Sequence, residues 1–135
     1  MSGELTAEQA VRSRMLGMLQ ADGALAGLVH GVFDGEPPRA SAPFVSIGAA
    51  DGADWGTKDR AGREVRLAVV LVGVGEPGDG AAAVVRVEAV APGLRGIADG
   101  WEIVSARVLR TRLARGKDSG WRHQIDIRCR CLAGG

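Results

Sequence analysis

The segment Arg63–Val74, with the sequence REVRLAVVLVGV, constrains the fold more than any other part of the chain. Successive side chains of a β-strand point to opposite faces of its sheet. Before Ala68 only one of the two alternating sets is apolar, whereas after Ala68 both sets are apolar. A strand that is apolar on both sides has to be covered on both sides. The segment is therefore predicted to be a central strand, and the rest of the chain must supply its neighbours.

The C-terminal part predicts a β-hairpin made of Trp101–Ala114 and Gly120–Leu132, joined by Arg115–Ser119. In the second strand, apolar and polar residues alternate, which is typical of a strand with one buried and one solvated face. The apolar set is Ile125, Ile127, Cys129 and Cys131, and the polar set is Arg122, Gln124, Asp126, Arg128 and Arg130.

The N-terminal part predicts a helix that ends near Ala21. Thr6 can cap the first turn of this helix, and Gln9, three residues later, completes a capping box. Asp22 can cap a further short helical turn directly after it. These caps predict two consecutive helical pieces before the first strand.

Short strands are predicted at Gly31–Asp34 and Phe44–Ile47, followed by a loop over residues 49–62. Loops of that length in compact domains are usually functional or disordered. A second helix is predicted over Gly78–Ala98, and Pro92 should kink it or divide it in two. The predicted order is α-β-β-β-α-β-β, an α+β fold with helices packed on one face of a mainly antiparallel sheet.

The composition is typical of one globular domain over residues 1–135. Hydrophobic residues make up 46% of the chain, and a chain of this length can bury a core without cross-links. No apolar run approaches the ~20 residues that a membrane span needs, and the N-terminus shows no apolar signal region. We therefore expect a soluble protein that is made in the cytoplasm and has no membrane partner.

The charges are distributed unevenly along the chain. Residues 1–100 carry 9 basic and 13 acidic side chains, whereas residues 101–135 carry 8 basic and 3 acidic ones. A basic strand face can simply be solvated, can contact phosphate, or can meet an acidic surface on another copy of the chain. All three interpretations are compatible with the charge pattern, and the solvated face is the simplest.

One motif suggests a cofactor. Gly73–Gly78 has the spacing G-x-G-x-x-G after a predicted strand and before a predicted helix, as in dinucleotide-binding turns. However, Glu76 would place a negative charge where the pyrophosphate should lie. The later strands also alternate with arginine, whereas the strands of a parallel dinucleotide-binding sheet are continuously apolar. We therefore predict glycine turns and no cofactor.

The sequence shows no catalytic or metal-binding constellation. The two histidines are isolated, and the three aspartates within residues 51–59 lack the spacing of a calcium loop. Cys129 and Cys131 lie two residues apart on one face of a strand, which is poor geometry for a disulfide. We expect buried free thiols, no metal and no enzymatic activity.

The order and spacing of several weak motifs resemble the tail-completion, or tail-terminator, proteins of long-tailed phages and of phage-derived gene transfer agents. The resemblance covers residues 11–132, and the helix with Pro92 departs from it because relatives tend to have a smoother, more charged helix there. The matching elements are the N-terminal helix running into Ala21–Leu25, the Phe33–Gly35 and Pro37–Pro38 turn, the strand start Pro43–Val45, the loop Asp54–Lys58 followed by Gly62–Glu64, and the C-terminal strands.

The resemblance implies a non-enzymatic virion protein in the tail or neck of a phage or gene transfer agent, assembled in the host cytoplasm. Members of this family form hexameric rings at the head-proximal end of the tail tube, where they stop tube polymerisation. The implied partners are further copies of the chain, the tail tube protein and the head-side connector or stopper protein, with DNA only passing through the ring lumen. The alternatives are a head-completion or stopper protein and, less favoured, a small nucleic-acid-binding domain.

Two groups of residues are candidates for contact with another subunit or with the tube. The first is the loop around Trp55, because tryptophan is enriched at interface hot spots, although Trp55 can also fold back onto its own domain. The second group consists of hairpin arginines that could meet an acidic surface. The candidates are Asp54, Trp55, Thr57, Lys58, Arg110, Arg112, Arg128 and Arg130.

Overall fold

The computed structural model describes residues 5–116 and 120–134 of the chain. The helices are α1 (Ala7–Ala21), α2 (Gly23–Ala26) and α3 (Ala81–Val90), with 3₁₀ turns at Pro77–Gly80 and Ala91–Leu94. The strands are β1 (Val32–Asp34), β2 (Phe44–Asp54), β3 (Gly62–Val74), β4 (Gly96–Ala98), β5 (Trp101–Arg115) and β6 (Gly120–Ala133).

The strands form one six-stranded sheet in the order β1-β2-β3-β6-β5-β4. All neighbouring pairs are antiparallel except β1 and β2, which are parallel. β3 pairs with β6 along its whole length, from Gly62 opposite Leu132 to Val74 opposite Gly120. The predicted central strand and the predicted α+β fold with a mainly antiparallel sheet are therefore confirmed.

The predicted helix caps are present. The Gln9 backbone N–H donates to Thr6 Oγ1 (3.1 Å), and the Thr6 N–H donates to Gln9 Oε1 (2.9 Å). Asp22 accepts from the Leu25 N–H (2.9 Å) at the start of α2, and Arg86 of α3 donates to both of its carboxylate oxygens (2.8 and 2.6 Å). These Arg86 hydrogen bonds lower the pKa of Asp22 from 3.8 to about 2. Asp22 therefore both starts α2 and ties it to α3.

One face of the sheet packs against α1 and α3, and we call it the covered face. Its side chains come from the apolar set of each strand and join the helices in a single core. Ile125 and Ile127 of β6 face Val69 and Leu67 of β3 in the strand register. The buried core of the sheet is Val45, Ile47, Val65, Leu67, Val69, Leu71, Ile103, Trp121, Ile125, Ile127, Cys129 and Cys131.

The opposite face carries the polar set of each strand, and we call it the open face. Only the part near β1 is covered: Phe33 packs edge-on against Phe44 with ring centroids 5.8 Å apart. Close by, Glu36 pairs with Arg122 at 2.7 Å. Away from that end, the open face is polar and is rich in arginine. Its polar side chains include Asp51, Glu64, Arg66, Ser105, Arg107, Arg110, Arg112, Gln124, Asp126, Arg128 and Arg130.

The prediction of a loop over residues 49–62 is wrong. β2 continues to Asp54, and residues 50–54 pair with residues 63–67 of β3, so only residues 55–61 connect the two strands. The segment GAADGAD has little intrinsic preference for a strand. It becomes a strand because β3 offers it a complete hydrogen-bonding edge, which is a tertiary effect.

The predicted division of the second helix at Pro92 is confirmed. α3 ends at Val90, and Pro92 lies in the following 3₁₀ turn. The end of the predicted helix, Gly96–Ala98, is instead the short edge strand β4, which the sequence analysis missed. The hairpin strands extend one residue beyond their predicted C-terminal ends. Of the predicted hairpin connection, residues 117–119 lie outside the described residues.

Candidate interaction surface

The loop candidates lie where β2 ends. Asp54 is the last residue of β2, opposite Arg63, and its Oδ1 accepts weakly from the Gly56 N–H (3.3 Å). Thr57 closes the loop, since its N–H donates to the Arg60 carbonyl (2.8 Å) and its hydroxyl accepts from the Arg60 N–H (3.1 Å). Lys58 is exposed at the loop tip. The loop is a short, internally bonded turn.

Trp55 is half-buried and contacts its own domain. The Trp55 N–H donates to the Gly62 carbonyl (3.0 Å), and the guanidinium carbon of Arg130 lies 5.5 Å from the centroid of its ring. That distance is within the range of a cation–π interaction. The structure thus brings together one residue from each of the two candidate groups. Whether the same tryptophan also touches another subunit stays a prediction.

The four candidate arginines all lie on the open face. Arg110 pairs with Asp126 (2.9 Å) and Arg130 with Glu64 (3.2 Å). Arg112 is exposed opposite Gln124 and forms no salt bridge within the described part of the chain. In both pairs the arginine is more exposed than its carboxylate: Arg110 is 74% and Asp126 19% exposed, and Arg130 is 36% and Glu64 21% exposed.

The register places three arginines side by side across the open face. Arg66 of β3 lies opposite Arg128 of β6, and Arg128 lies opposite Arg107 of β5. We call Arg66, Arg107 and Arg128 the arginine row. Like charges directly opposite each other destabilise a sheet. The arrangement therefore has a cost that an anionic partner would remove.

The arginine row is poorly neutralised within the chain. Arg66 reaches Glu64 only at 3.8 Å, and among the described residues Arg107 and Arg128 form no salt bridge. The Nε of Arg128 is buried and has no hydrogen-bond partner in the described structure. A buried donor without a partner costs about 1–3 kcal/mol. The row is thus a place where carboxylate or phosphate oxygens would be bound favourably.

A depression with a volume of about 660 Å³ adjoins the arginine row. Its walls combine backbone and apolar atoms with charges of both signs, so the depression continues the mixed polar surface of the open face. The charged and polar residues that line it are Asp51, Arg66, Arg110, Gln124 and Asp126.

The glycines of the G-x-G-x-x-G motif have a packing explanation. A Cβ atom at Gly73, or at Gly80 just beyond the motif, would lie 2.1 Å from the indole of Trp121. Gly75 has a φ of 81°, a conformation that glycine adopts without strain. Gly73 and Gly80 make room for Trp121 on the covered face, a packing role that the sequence did not predict. Gly73 is the second-last residue of β3 and not part of a turn.

The two cysteines are buried and free. Burial raises the pKa of Cys129 to about 12 and that of Cys131 to about 11, so both thiols remain protonated at neutral pH. Within residues 5–116 and 120–134, no group of three or more metal-ligating side chains is close enough to hold a metal ion. In the same residues, no helix is long and apolar enough to cross a membrane.

Arg66 and Arg107 also belong to this surface, although they are not among the residues predicted from the sequence. Each lies on the polar set of its own strand, and this alternation was a visible signal. The register that aligns both residues with Arg128 is set by the pairing of three strands. Alternation within one strand does not reveal that register.

The comparisons with known proteins agree with the fold. A family model described as tail completion protein gp17 matches residues 13–132. No curated protein matches the sequence significantly. Among solved structures, a chain from the virion of a native gene transfer agent particle is 25% identical in sequence with a TM-score of 0.85. That match covers 96% of this chain and 100% of the other.

The family match spans most of the chain, and the structural match shows the same architecture from end to end. The protein is accordingly a structural virion component of the tail or neck, and the chain belongs to the family of tail completion proteins.

Proposed function

We propose that the protein forms a ring, a hexamer by analogy with its family, at the head-proximal end of a tail tube. There it ends tube polymerisation and joins the tail to the head-side connector. The observation that carries the proposal is the arginine row on an otherwise uncovered sheet face. A row of like charges that the chain itself neutralises poorly is suited to assembly with an anionic surface.

The charge distribution supports self-assembly. Residues 1–100 have a balance of −4 and residues 101–135 a balance of +5. Head-to-tail contacts between identical subunits bring different surfaces of the chain together, and they close into a ring when the rotation permits. A chain that is acidic in one part and basic in another can complement itself in such a contact. The match to a chain of a gene transfer agent virion fits this role.

The proposed contact residues are those on the open face and at the end of β2. Trp55 and Arg130 act together in this proposal, because the ring of one supports the guanidinium of the other. Neither a catalytic group nor a cofactor is needed for the role. The proposed contacts with a subunit or with the tube are made by Asp54, Trp55, Thr57, Lys58, Arg110, Arg112, Arg128 and Arg130.

The test is the mass of the purified protein, alone and with tail tube protein, together with electron micrographs of both samples. We expect rings of about six subunits that loosen as the salt concentration rises, because charge contacts are screened. Trp55→Ala should leave the monomer folded and weaken ring formation or tube capping. A protein that stays monomeric with tube protein, or a ring that is insensitive to salt, would contradict the proposal.

A nucleic-acid-binding domain is the second candidate, and the arginine row is the observation that favours it. Binding through phosphate contacts would give an affinity for duplex DNA that falls steeply with salt. The ring proposal predicts that DNA passes through the lumen without tight binding to the free protein.

A stopper protein, by contrast, would bind the connector and leave tube length unregulated. Tube-length distributions in the presence of the protein separate these roles.

A further inference from the structure

Both free edges of the sheet are longer than the strands that cover them. β4 pairs only with Trp101–Ile103 of β5. Among the described residues, no strand pairs with the outer side of residues 104–115. At the other edge, β1 pairs only with residues 45–47 of β2. Unpaired backbone N–H and C=O groups on an exposed edge are a template for pairing with another chain.

The part of the β2 edge that precedes Ala49 is covered by other residues of the same chain. Arg12 of α1 donates to the carbonyls of Ile47 (2.9 Å) and Gly48 (2.8 Å), so the free edge of β2 begins at Ala49. From Ala50 to Asp54 the register with β3 is regular. β5 has two irregularities in its pairing with β6, and from Arg110 to Arg115 its register is regular as well. Each edge therefore offers a regularly paired segment, of five residues in β2 and six in β5.

The two edges carry opposite charges. Residues 104–115 contain four arginines and no acidic residue, whereas residues 49–54 contain Asp51 and Asp54 and no basic residue. Two β5 edges brought together would place arginines near arginines, which is unfavourable. A β5 edge beside a β2 edge would place arginines near aspartates. The charges thus select the heterologous pairing over the symmetric one.

The strand directions also suit this pairing. β2, β3, β6 and β5 are successively antiparallel, so β5 runs antiparallel to β2. Within one chain Ala53 lies level with Ser105, through Glu64 and Arg130, so a neighbour whose Ala53 meets Arg112 must be related by an axis inclined to the strands, as in a closed barrel. Such a rotation still places its β2 antiparallel to the first copy's β5. The repeated contact is head-to-tail, as a closed ring requires.

We propose that the free edge of β5 pairs with the free edge of β2 in a neighbouring copy, joining their sheets into one continuous sheet. This inference rests on the proposed ring and names its subunit contact. It also places the loop of Trp55, Thr57 and Lys58, which follows β2, beside Arg110 and Arg112 of the neighbour. Residues from both candidate groups of the sequence then belong to one interface, whereas Arg128 and Arg130 lie one strand further in, on β6.

Paired cysteines test this contact, using the full-length protein. Within one chain, β2 and β5 are separated by three strand spacings, roughly 14 Å, whereas a disulfide needs Cα atoms within about 7 Å. A disulfide between the two edges must therefore join two chains. Ala53 and Arg112 both lie on the open face and are both exposed, so cysteines there should not disturb the fold.

The variants combine Ala53→Cys with Arg110→Cys, Arg112→Cys or Ala114→Cys, which are the open-face positions of the regular β5 segment. After oxidation, we expect at least one pair to give a ladder of disulfide-linked multimers on a non-reducing denaturing gel. The largest multimer should have the mass of the ring. The matched controls combine Ala53→Cys with Thr111→Cys or Leu113→Cys, which point to the other face and should give no ladder. The native cysteines are fully buried and should not contribute.

The outcomes separate this inference from the ring itself. A wild-type ring whose open-face pairs never crosslink would overturn the edge contact and leave the ring intact. Dimers from Arg112→Cys alone would indicate symmetric β5 pairing and overturn the edge contact too. A wild-type protein that stays monomeric with tube protein would overturn both proposals.

Discussion

The covered face and the open face of the sheet are built from the same strands and follow opposite rules. In β6, Ile125, Ile127 and Cys129 are completely buried on one side, and Arg128 and Arg130 alternate with them on the other. Burial of the first set stabilises the fold by the hydrophobic effect. The second set gathers like charges that the fold alone does not require. Under the proposed function, the first set of residues determines folding and the second contributes to assembly.

The largest expected effect comes from truncating two adjacent residues of β6 that lie on opposite faces of the sheet. Ile127→Ala should lower the free energy of unfolding by about 2–5 kcal/mol, because it opens a cavity in a closed core. Arg128→Ala should leave it unchanged or raise it, because the change removes a like charge from the arginine row and a buried donor without a partner. Denaturant unfolding in high salt, with the mass recorded in parallel, measures both. Similar losses for the two variants would show that the open face is part of the folding core.

A second prediction concerns the glycines that border the covered face. Gly73→Ala places a methyl group against the Trp121 indole, where a Cβ would lie only 2.1 Å away. Overpacking of this kind costs about 1–3 kcal/mol. Gly78→Ala is the matched control, because a Cβ at that position meets no atom within 4 Å. Thermal unfolding of the two variants compares them, and an equal Tm would mean that Trp121 moves aside easily.

The sequence predicted those elements whose own residues already show a clear strand or helix pattern. The apolar run of β3, the alternation of β6 and the capping box at Thr6 each carry their signal within a few residues. Each of them was found correctly, including the side of β6 that is buried. The α+β class followed from the order of these elements.

Residues 49–54 and the arginine row could not be predicted in the same way. The first is a strand only because β3 offers it an edge, since its glycines and alanines favour no strand by themselves. The second exists only in the register of three strands, in which Arg66, Arg128 and Arg107 become neighbours. The pattern of one strand does not show which residues of other strands lie beside it, so both features become visible only in the folded sheet.

The smallest expected effect is also the one that separates folding from assembly most directly. Arg107→Glu places a carboxylate opposite Arg128 in the register, and an opposite-charge pair contributes roughly 0.2–1 kcal/mol. The free energy of unfolding should therefore rise slightly. The same change adds a negative charge to the β5 edge, so oligomer formation should become weaker.

Arg115→Glu is the control for this last variant, because it makes the same charge change on the same strand. Arg115 lies opposite Trp121, outside the arginine row, so its replacement should give no gain in unfolding free energy. Unfolding curves and solution masses of the two variants are compared at equal salt. A gain in stability combined with a loss of oligomer for Arg107→Glu would show that the row is kept at a cost to the monomer. A loss of stability would show instead that the Arg107 side chain supports the fold, and the contrast between the faces would not hold at this residue.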